Sequence, residues 1–194
     1  MAVLTYKSAK KGLLNTVNTE YHKRTFDKLE EISQELISEF DPDSPNYWVS
    51  SEPMHKVLEK IHDTFEKNKK EILESKEFSP GVPDNKASRR LSDLVKKIKS
   101  DPFIPKEIRE YVTEALEKRA DTMLGIHLSE ISKYIEELSK GKHGNDYELN
   151  SAVVHNRINT KLYENGCGIS QVEEQVHDIR LFIQQYLENF NPFK

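Results

Sequence analysis

The chain has 194 residues, of which 32% are charged and 36% are hydrophobic, and its net charge is -4 at pH 7. This charge excludes bulk attraction of the whole molecule to nucleic acid or to an anionic membrane, so any such binding must be local. No stretch reaches the ~20 apolar residues that a membrane span needs. The single cysteine excludes an intramolecular disulfide, which is typical of a reducing compartment. We therefore expect a cytoplasmic protein without a membrane partner.

The N-terminal part of the sequence predicts one long helix. Residues 1–18 are compatible either with a short first helix or with a flexible N-terminal arm. Residues 19–40 form a clear helical pattern, because apolar side chains recur every three or four positions. Two prolines, Pro42 and Pro45, then end this helix, since proline cannot continue the hydrogen-bond ladder.

An aromatic linker at residues 46–49 leads to the second helical stretch. Trp48 is predicted to fill the end of the bundle; the alternative is an exposed patch that stacks on or binds a partner.

A helix over residues 50–75 follows. It places His55, Glu59 and His62 on one face, a spacing that can hold a divalent metal. We favour a solvated polar face, and we predict no metal and no cofactor.

A loop at residues 76–85, rich in proline and glycine, divides the chain into two helical halves. The next helix, residues 86–99, is strongly basic. Four of its cations lie away from the apolar stripe, and they are the candidate contacts for RNA phosphates, the alternative being a solubilising helix face. These four residues are Arg89, Arg90, Lys96 and Lys97.

Pro105 opens a long helical stretch that extends to about residue 140. Its apolar stripe changes phase between Ala120 and Gly125. We expect a kink or a break there, because glycine is unfavourable inside a helix. Gly141 is predicted to end the stretch.

The C-terminal segment, residues 147–190, is predicted to form two helices joined by a turn at residues 165–168. Ser170 and Glu173 have the spacing of a capping box at the start of the second helix. Cys167 lies between two glycines in the turn, where we expect an accessible thiol, although accessibility alone does not indicate catalysis. The whole pattern predicts an all-α bundle of six or seven helices in a single domain, with residues 19–194 in the bundle.

The first C-terminal helix carries the polar run His155-Asn156-Arg157-Ile158-Asn159-Thr160, followed by a glycine-containing turn and an amphipathic helix. This segment resembles the end of HEPN domains, an all-α family in which many members dimerise and cleave RNA without a metal. Asn156 and Ile158 match the family signature. However, His155 and Thr160 stand where the family has its catalytic arginine and histidine. The resemblance therefore implies a degenerate domain.

These observations predict a non-enzymatic helical interaction protein of a prokaryotic defence or counter-defence system. It would bind a protein partner or a structured RNA through the basic helix and through His155, Asn156 and Arg157. The alternative is a metal-independent ribonuclease in which His155 and Arg157 act across a homodimer. A third hypothesis is a phage or mobile-element protein that inhibits a host factor.

Overall fold

The computed structural model describes residues 2–47, 54–82, 85–142 and 147–189. Seven α-helices and no strand occur in these ranges, so the prediction of an all-α bundle is confirmed. The helices are α1 (Ala2–Ile37), α2 (Met54–Lys67), α3 (Lys69–Ser75), α4 (Lys86–Ser100), α5 (Lys106–Ser139), α6 (Tyr147–Glu164) and α7 (Ile169–Asn189).

The first helix is longer at its start and shorter at its end than the sequence predicts. It begins at Ala2, so residues 2–18 belong to α1 rather than to a separate element. Described side chains in that part, such as Leu13 and Val17, are exposed; a flexible arm there stays a prediction. At the other end, Phe40 donates its backbone N–H to the carbonyl of Ile37, and this tighter turn closes the helix before Pro42.

The helix predicted over residues 50–75 is divided into two. The backbone N–H of Asn68 donates to the carbonyl of Phe65, three residues back, which interrupts the α-helical ladder between α2 and α3. The second piece ends at Lys76, whose left-handed φ of 59° allows its N–H to reach the carbonyl of Ile72. Trp48 and the predicted start of this helix lie outside the described residues.

The break predicted in the long helix does not occur, because α5 is continuous from Lys106 to Ser139, while a kink near Gly125 stays a prediction. Ile108 and Ile126 are eighteen positions apart, about five helical turns, so they lie on the same face. Between and beyond them, that face carries two buried charged residues, Arg119 and Glu130. The apolar stripe of α5 changes phase in the sequence because these two charged side chains occupy positions on the buried face.

Two hydrophobic cores lie along α5. The first is formed by α1, α4, α7 and the N-terminal half of α5, and it includes Leu29, Leu91 and Leu116. The second is formed by α2, α3, α6 and the C-terminal half of α5, and it includes Phe65 and Tyr134. Each core therefore combines helices from before and after the loop at residues 76–85, and α5 contributes to both cores.

The turn between α6 and α7 is confirmed, but α7 begins one residue before Ser170. Gly166 adopts a φ of +74° and ends α6. Gly168 is the N-cap of α7, and its N–H donates to the side chain of Gln171 at 2.9 Å. Ser170 already lies inside the helix, so the predicted capping box with Glu173 does not form. A Cβ on Gly168 would stand 2.3 Å from the ring of Tyr163, so this close approach requires glycine.

Candidate functional site: a cavity between the two cores

A cavity of about 980 Å³ lies between the two hydrophobic cores, against the middle of α5. Helices α2, α6 and α7 supply other parts of its wall, and the segment just after α1 supplies Pro45, Asn46 and Tyr47. Exposed residues of α2 and α6, including His55 and His155, are part of this wall. The cavity is therefore open to solvent on that side.

The described lining combines aliphatic and methionine side chains with polar and charged ones. A volume near the upper end of the ~300–1,000 Å³ range of small-molecule sites, with apolar side chains and polar groups in one wall, is compatible with a ligand pocket. The larger aliphatic and methionine residues that line it are Met54, Val57, Val82, Met123, Leu124, Leu128, Ile131, Ile158, Leu162, Ile169 and Val172.

A buried cluster of charged side chains forms one part of the wall. Arg119 is 4% exposed, and its Nη2 donates to both carboxylate oxygens of Glu39, at 2.6 and 2.5 Å. The Nη2 of Arg90 donates to the same carboxylate, and its Nη1 lies 3.7 Å from the carboxylate of Glu35. Two guanidinium groups therefore share the one buried carboxylate of Glu39. Glu35, at the side, is partly exposed.

This cluster leaves hydrogen-bond donors unused. Within the described part of the chain, the Nε and Nη1 groups of Arg119 are buried and have no hydrogen-bond partner, and the same holds for Nη1 of Arg90. A buried donor without a partner costs about 1–3 kcal/mol, and more when it is charged. Both arginines are also part of the cavity wall.

His127 lies on the cavity side of α5. Its Nδ1 donates to the carbonyl of Met123 at 2.8 Å, since a carbonyl only accepts. Burial lowers the pKa of His127 below its ordinary value of 6.5, and the hydrogen bond to Met123 opposes this shift. The wall therefore carries a histidine whose neutral form is favoured.

The prediction of an accessible thiol in the turn is wrong, because Cys167 is buried, with 9% of its surface exposed. Burial raises the pKa of the thiol, while the charges of Arg119 and Lys118 and a hydrogen bond with Thr122 act in the opposite direction. The thiol form is favoured, which makes Cys167 a poor nucleophile. Its side chain nevertheless lines the cavity.

The polar run of α6 is divided between two environments. His155 and Asn156 are exposed and line the cavity, and the ring Nε2 of His155 lies 3.5 Å from the side-chain nitrogen of Asn159. Arg157 is not part of the cavity wall. Its side chain contacts Glu130 at 3.0 Å and Glu137 at 3.1 Å. The structure thus separates His155 from Arg157.

The four cations proposed from the basic helix α4 are also divided. Arg89, Lys96 and Lys97 are exposed. Lys96 forms an ion pair with Asp93 at 2.9 Å. Arg90 instead turns towards Glu39 and joins the buried cluster. RNA binding by these residues stays a prediction. Arg90 differs from the other three because it is already paired with a carboxylate.

The described residues contain no group of three or more His, Cys, Asp or Glu side chains arranged to hold a metal ion. Among the candidates, His62 is half-buried and its ring stacks at 5.1 Å from the ring of Tyr147. None of the helices in the described ranges combines the length and the apolar character needed to cross a membrane.

Comparison with known families, curated proteins and solved structures finds no match to this chain. The candidate site therefore depends on the geometry alone. Sequence reasoning missed Glu39 and Arg119, and it had no reason to select His127 among the histidines. A signal for Arg119 existed, because it lies three residues after Leu116 on the apolar stripe of α5.

Proposed function

We propose that this protein is a non-enzymatic binding protein whose principal site is the cavity between its two cores. Its ligand is a small, largely apolar molecule. The observation that carries the proposal is the cavity itself, which combines about 980 Å³ of space, a set of aliphatic and methionine side chains in its wall, and buried guanidinium donors without partners. Pockets of this size with a few convergent polar groups are the usual form of a ligand site.

The chemistry of the wall supports binding rather than catalysis. Burial favours the protonated thiol of Cys167, so this side chain is a weak nucleophile. Arg119 and Arg90 are held by Glu39, in an arrangement suited to fixing a charged group in place.

Filling the cavity tests this proposal. Leu124 is half-buried and lines the cavity, so Leu124→Trp should place an indole in the ligand's space. Ile135 lies on the same helix and is also half-buried, but it is not part of the described cavity wall. Ile135→Trp is therefore the matched control.

Binding of a panel of aliphatic alcohols, acids and amines is measured by native mass spectrometry. We expect a one-to-one complex with at least one of these compounds. It should be lost in Leu124→Trp and retained in Ile135→Trp. Equal binding by both variants would contradict the cavity as the site.

A second candidate function is the binding of a structured RNA or a protein partner through the exposed cations of α4. Arg89, Lys96 and Lys97 support it, because exposed cations on one helix can contact successive phosphates. We expect Arg89→Glu combined with Lys97→Glu to abolish salt-sensitive RNA retention, and Lys106→Glu combined with Lys133→Glu on α5 to preserve it. If both double variants retain RNA equally, the α4 surface is not the contact. If the unmodified protein retains none, a protein partner is the candidate left.

The HEPN-like ribonuclease hypothesis has less support from the geometry. It needs His155 and Arg157 at one phosphate, whereas Arg157 is engaged by Glu130 and Glu137. The same RNA assay, run in EDTA, tests it directly. Cleavage that disappears in His155→Ala would favour the nuclease, and intact RNA would count against it.

A further inference from the structure

We infer that the ligand of the cavity is an anionic amphiphile, with a flexible aliphatic tail and one small anionic head group bound by Arg119 and Arg90. This inference deepens the proposed function and depends on it. Two features carry it: the unused hydrogen-bond donors of the buried Arg119 side chain, and the apolar side chains in the remaining wall.

The Arg119 cluster has as many carboxylates as cations, like the other buried ion-pair cluster in the described residues. In the second core, Glu130 and Glu137 face Arg157 and Lys161. At the cavity, Glu39 contacts Arg119 and Arg90, and the partly exposed Glu35 lies 3.7 Å from Arg90. Arg119 differs from Arg157 in its position, because it is part of the cavity wall.

The unused donors belong to the residue that is most deeply buried. Arg119 is 4% exposed, lines the cavity, and has its Nε and Nη1 groups without hydrogen-bond partners. Glu39 compensates the charge of Arg119, but buried donors of a charged group are costly to leave without acceptors. A carboxylate or phosphate in the cavity would accept hydrogen bonds from both groups.

The rest of the wall favours an aliphatic tail. Met54, Met123 and Leu124 present flexible, unbranched or γ-branched side chains, and methionine adapts its shape to varied apolar partners. Arg119 and Ile131 both line the cavity from α5. Twelve residues of helix separate them, about 18 Å along the axis. An extended saturated chain of about a dozen carbons spans a similar length.

The experiment compares ligands that differ only in the head group. Dodecanoate, dodecyl phosphate and dodecanol, each below its micelle-forming concentration, are titrated into the full chain by isothermal calorimetry near neutral pH. We expect dodecanoate or dodecyl phosphate to bind one-to-one, at least about tenfold more tightly than dodecanol, since a charged hydrogen bond contributes about 1.5–3 kcal/mol. The preferred anion identifies the head group as a carboxylate or a phosphate.

Three variants assign the head-group contact. Arg119→Met should weaken binding of the anion at least about tenfold, and it should weaken binding of dodecanol much less than binding of the anion. Glu39→Gln should strengthen anion binding, because it removes the carboxylate that competes for both arginines. The second variant keeps the test valid if Arg119→Met does not fold. Arg157→Met is the matched control, since Arg157 is also paired with a buried carboxylate but is not part of the cavity wall.

The outcomes separate this inference from the proposed function. Equal binding of dodecanol and of both anions would overturn the anionic head and leave the cavity as a binding site. Absence of binding by all three compounds would overturn the inference, and failure of the whole panel of amphiphiles in native mass spectrometry would overturn the proposed function as well. Anion binding that Arg157→Met weakens as strongly as Arg119→Met would also refute the assignment.

Discussion

The ion pair between Glu39 and Arg119 should make a large and strongly coupled contribution to stability. The two side chains are 7% and 4% exposed and meet at 2.5 Å. Removing one partner of a buried pair costs about 3–5 kcal/mol, because the other charge is left without compensation. We expect about 3 kcal/mol for Arg119→Met, the lower end of that range, because Arg90 still contacts Glu39.

The double variant gives the decisive comparison. Replacing Glu39 and Arg119 together with methionine removes both charges, so its cost should be smaller than the sum of the single costs by at least about 1.5 kcal/mol. The free energies of unfolding are measured by urea denaturation and far-ultraviolet circular dichroism. Lys106→Met, which removes one partner of an exposed pair with Glu110 at 3.6 Å, is the control and should change nothing measurable. Additive single costs, or costs no larger than the control, would refute the reasoning.

Three further predictions follow from the packing and the charges. Gly168→Ala should destabilise the protein by about 1–3 kcal/mol because its Cβ meets the ring of Tyr163, and adding Tyr163→Ala should recover part of the loss. Urea denaturation measures both free energies of unfolding, and equal losses in the single and double variants would contradict the contact. The lowered pKa of His127 means that the unfolded chain binds more protons, so stability should fall as the pH decreases through about 6.5; His127→Leu should lessen that fall in a denaturation series over pH, and an unchanged slope would contradict the prediction. Leu116→Ala and Leu138→Ala, one in each core, should each cost about 2–5 kcal/mol and should leave a single transition by circular dichroism and by fluorescence, whereas two separate transitions would mean that α5 does not join the cores.

The sequence predicted the helices well where one face was purely apolar. The stripe of α4 and the glycine at residue 166 gave the correct helix and the correct turn, because hydrophobic periodicity and a left-handed glycine are local signals. The break expected in α5 does not form, because the buried face of the helix continues through two charged residues, Arg119 and Glu130. Their burial depends on partners that are distant in the sequence, such as Glu39, 80 residues before Arg119.

The candidate site was less predictable than the fold for the same physical reason. Its wall combines α2, α4, α5, α6 and α7, and no short motif encodes such a surface. His155 and Asn156 were selected for their chemistry and do line the cavity. Arg157, two residues along the helix, faces the second core instead. Cys167 is buried although its glycine neighbours indicated an open turn, because its thiol lies against α5, where it hydrogen-bonds with Thr122.

The alkylation rate of Cys167 tests the central claim most directly, because this is the only cysteine in the chain and it lines the cavity. The rate of reaction with N-ethylmaleimide is measured with and without the compound that binds most tightly. A Cys167→Ser variant carrying Ser170→Cys, an exposed position outside the described cavity wall, is the control. At a ligand concentration about tenfold above its dissociation constant, the account predicts a rate about tenfold lower at Cys167 and an unchanged rate in the control. An unchanged rate at Cys167 under saturating ligand would show that the compound binds elsewhere and would contradict the account.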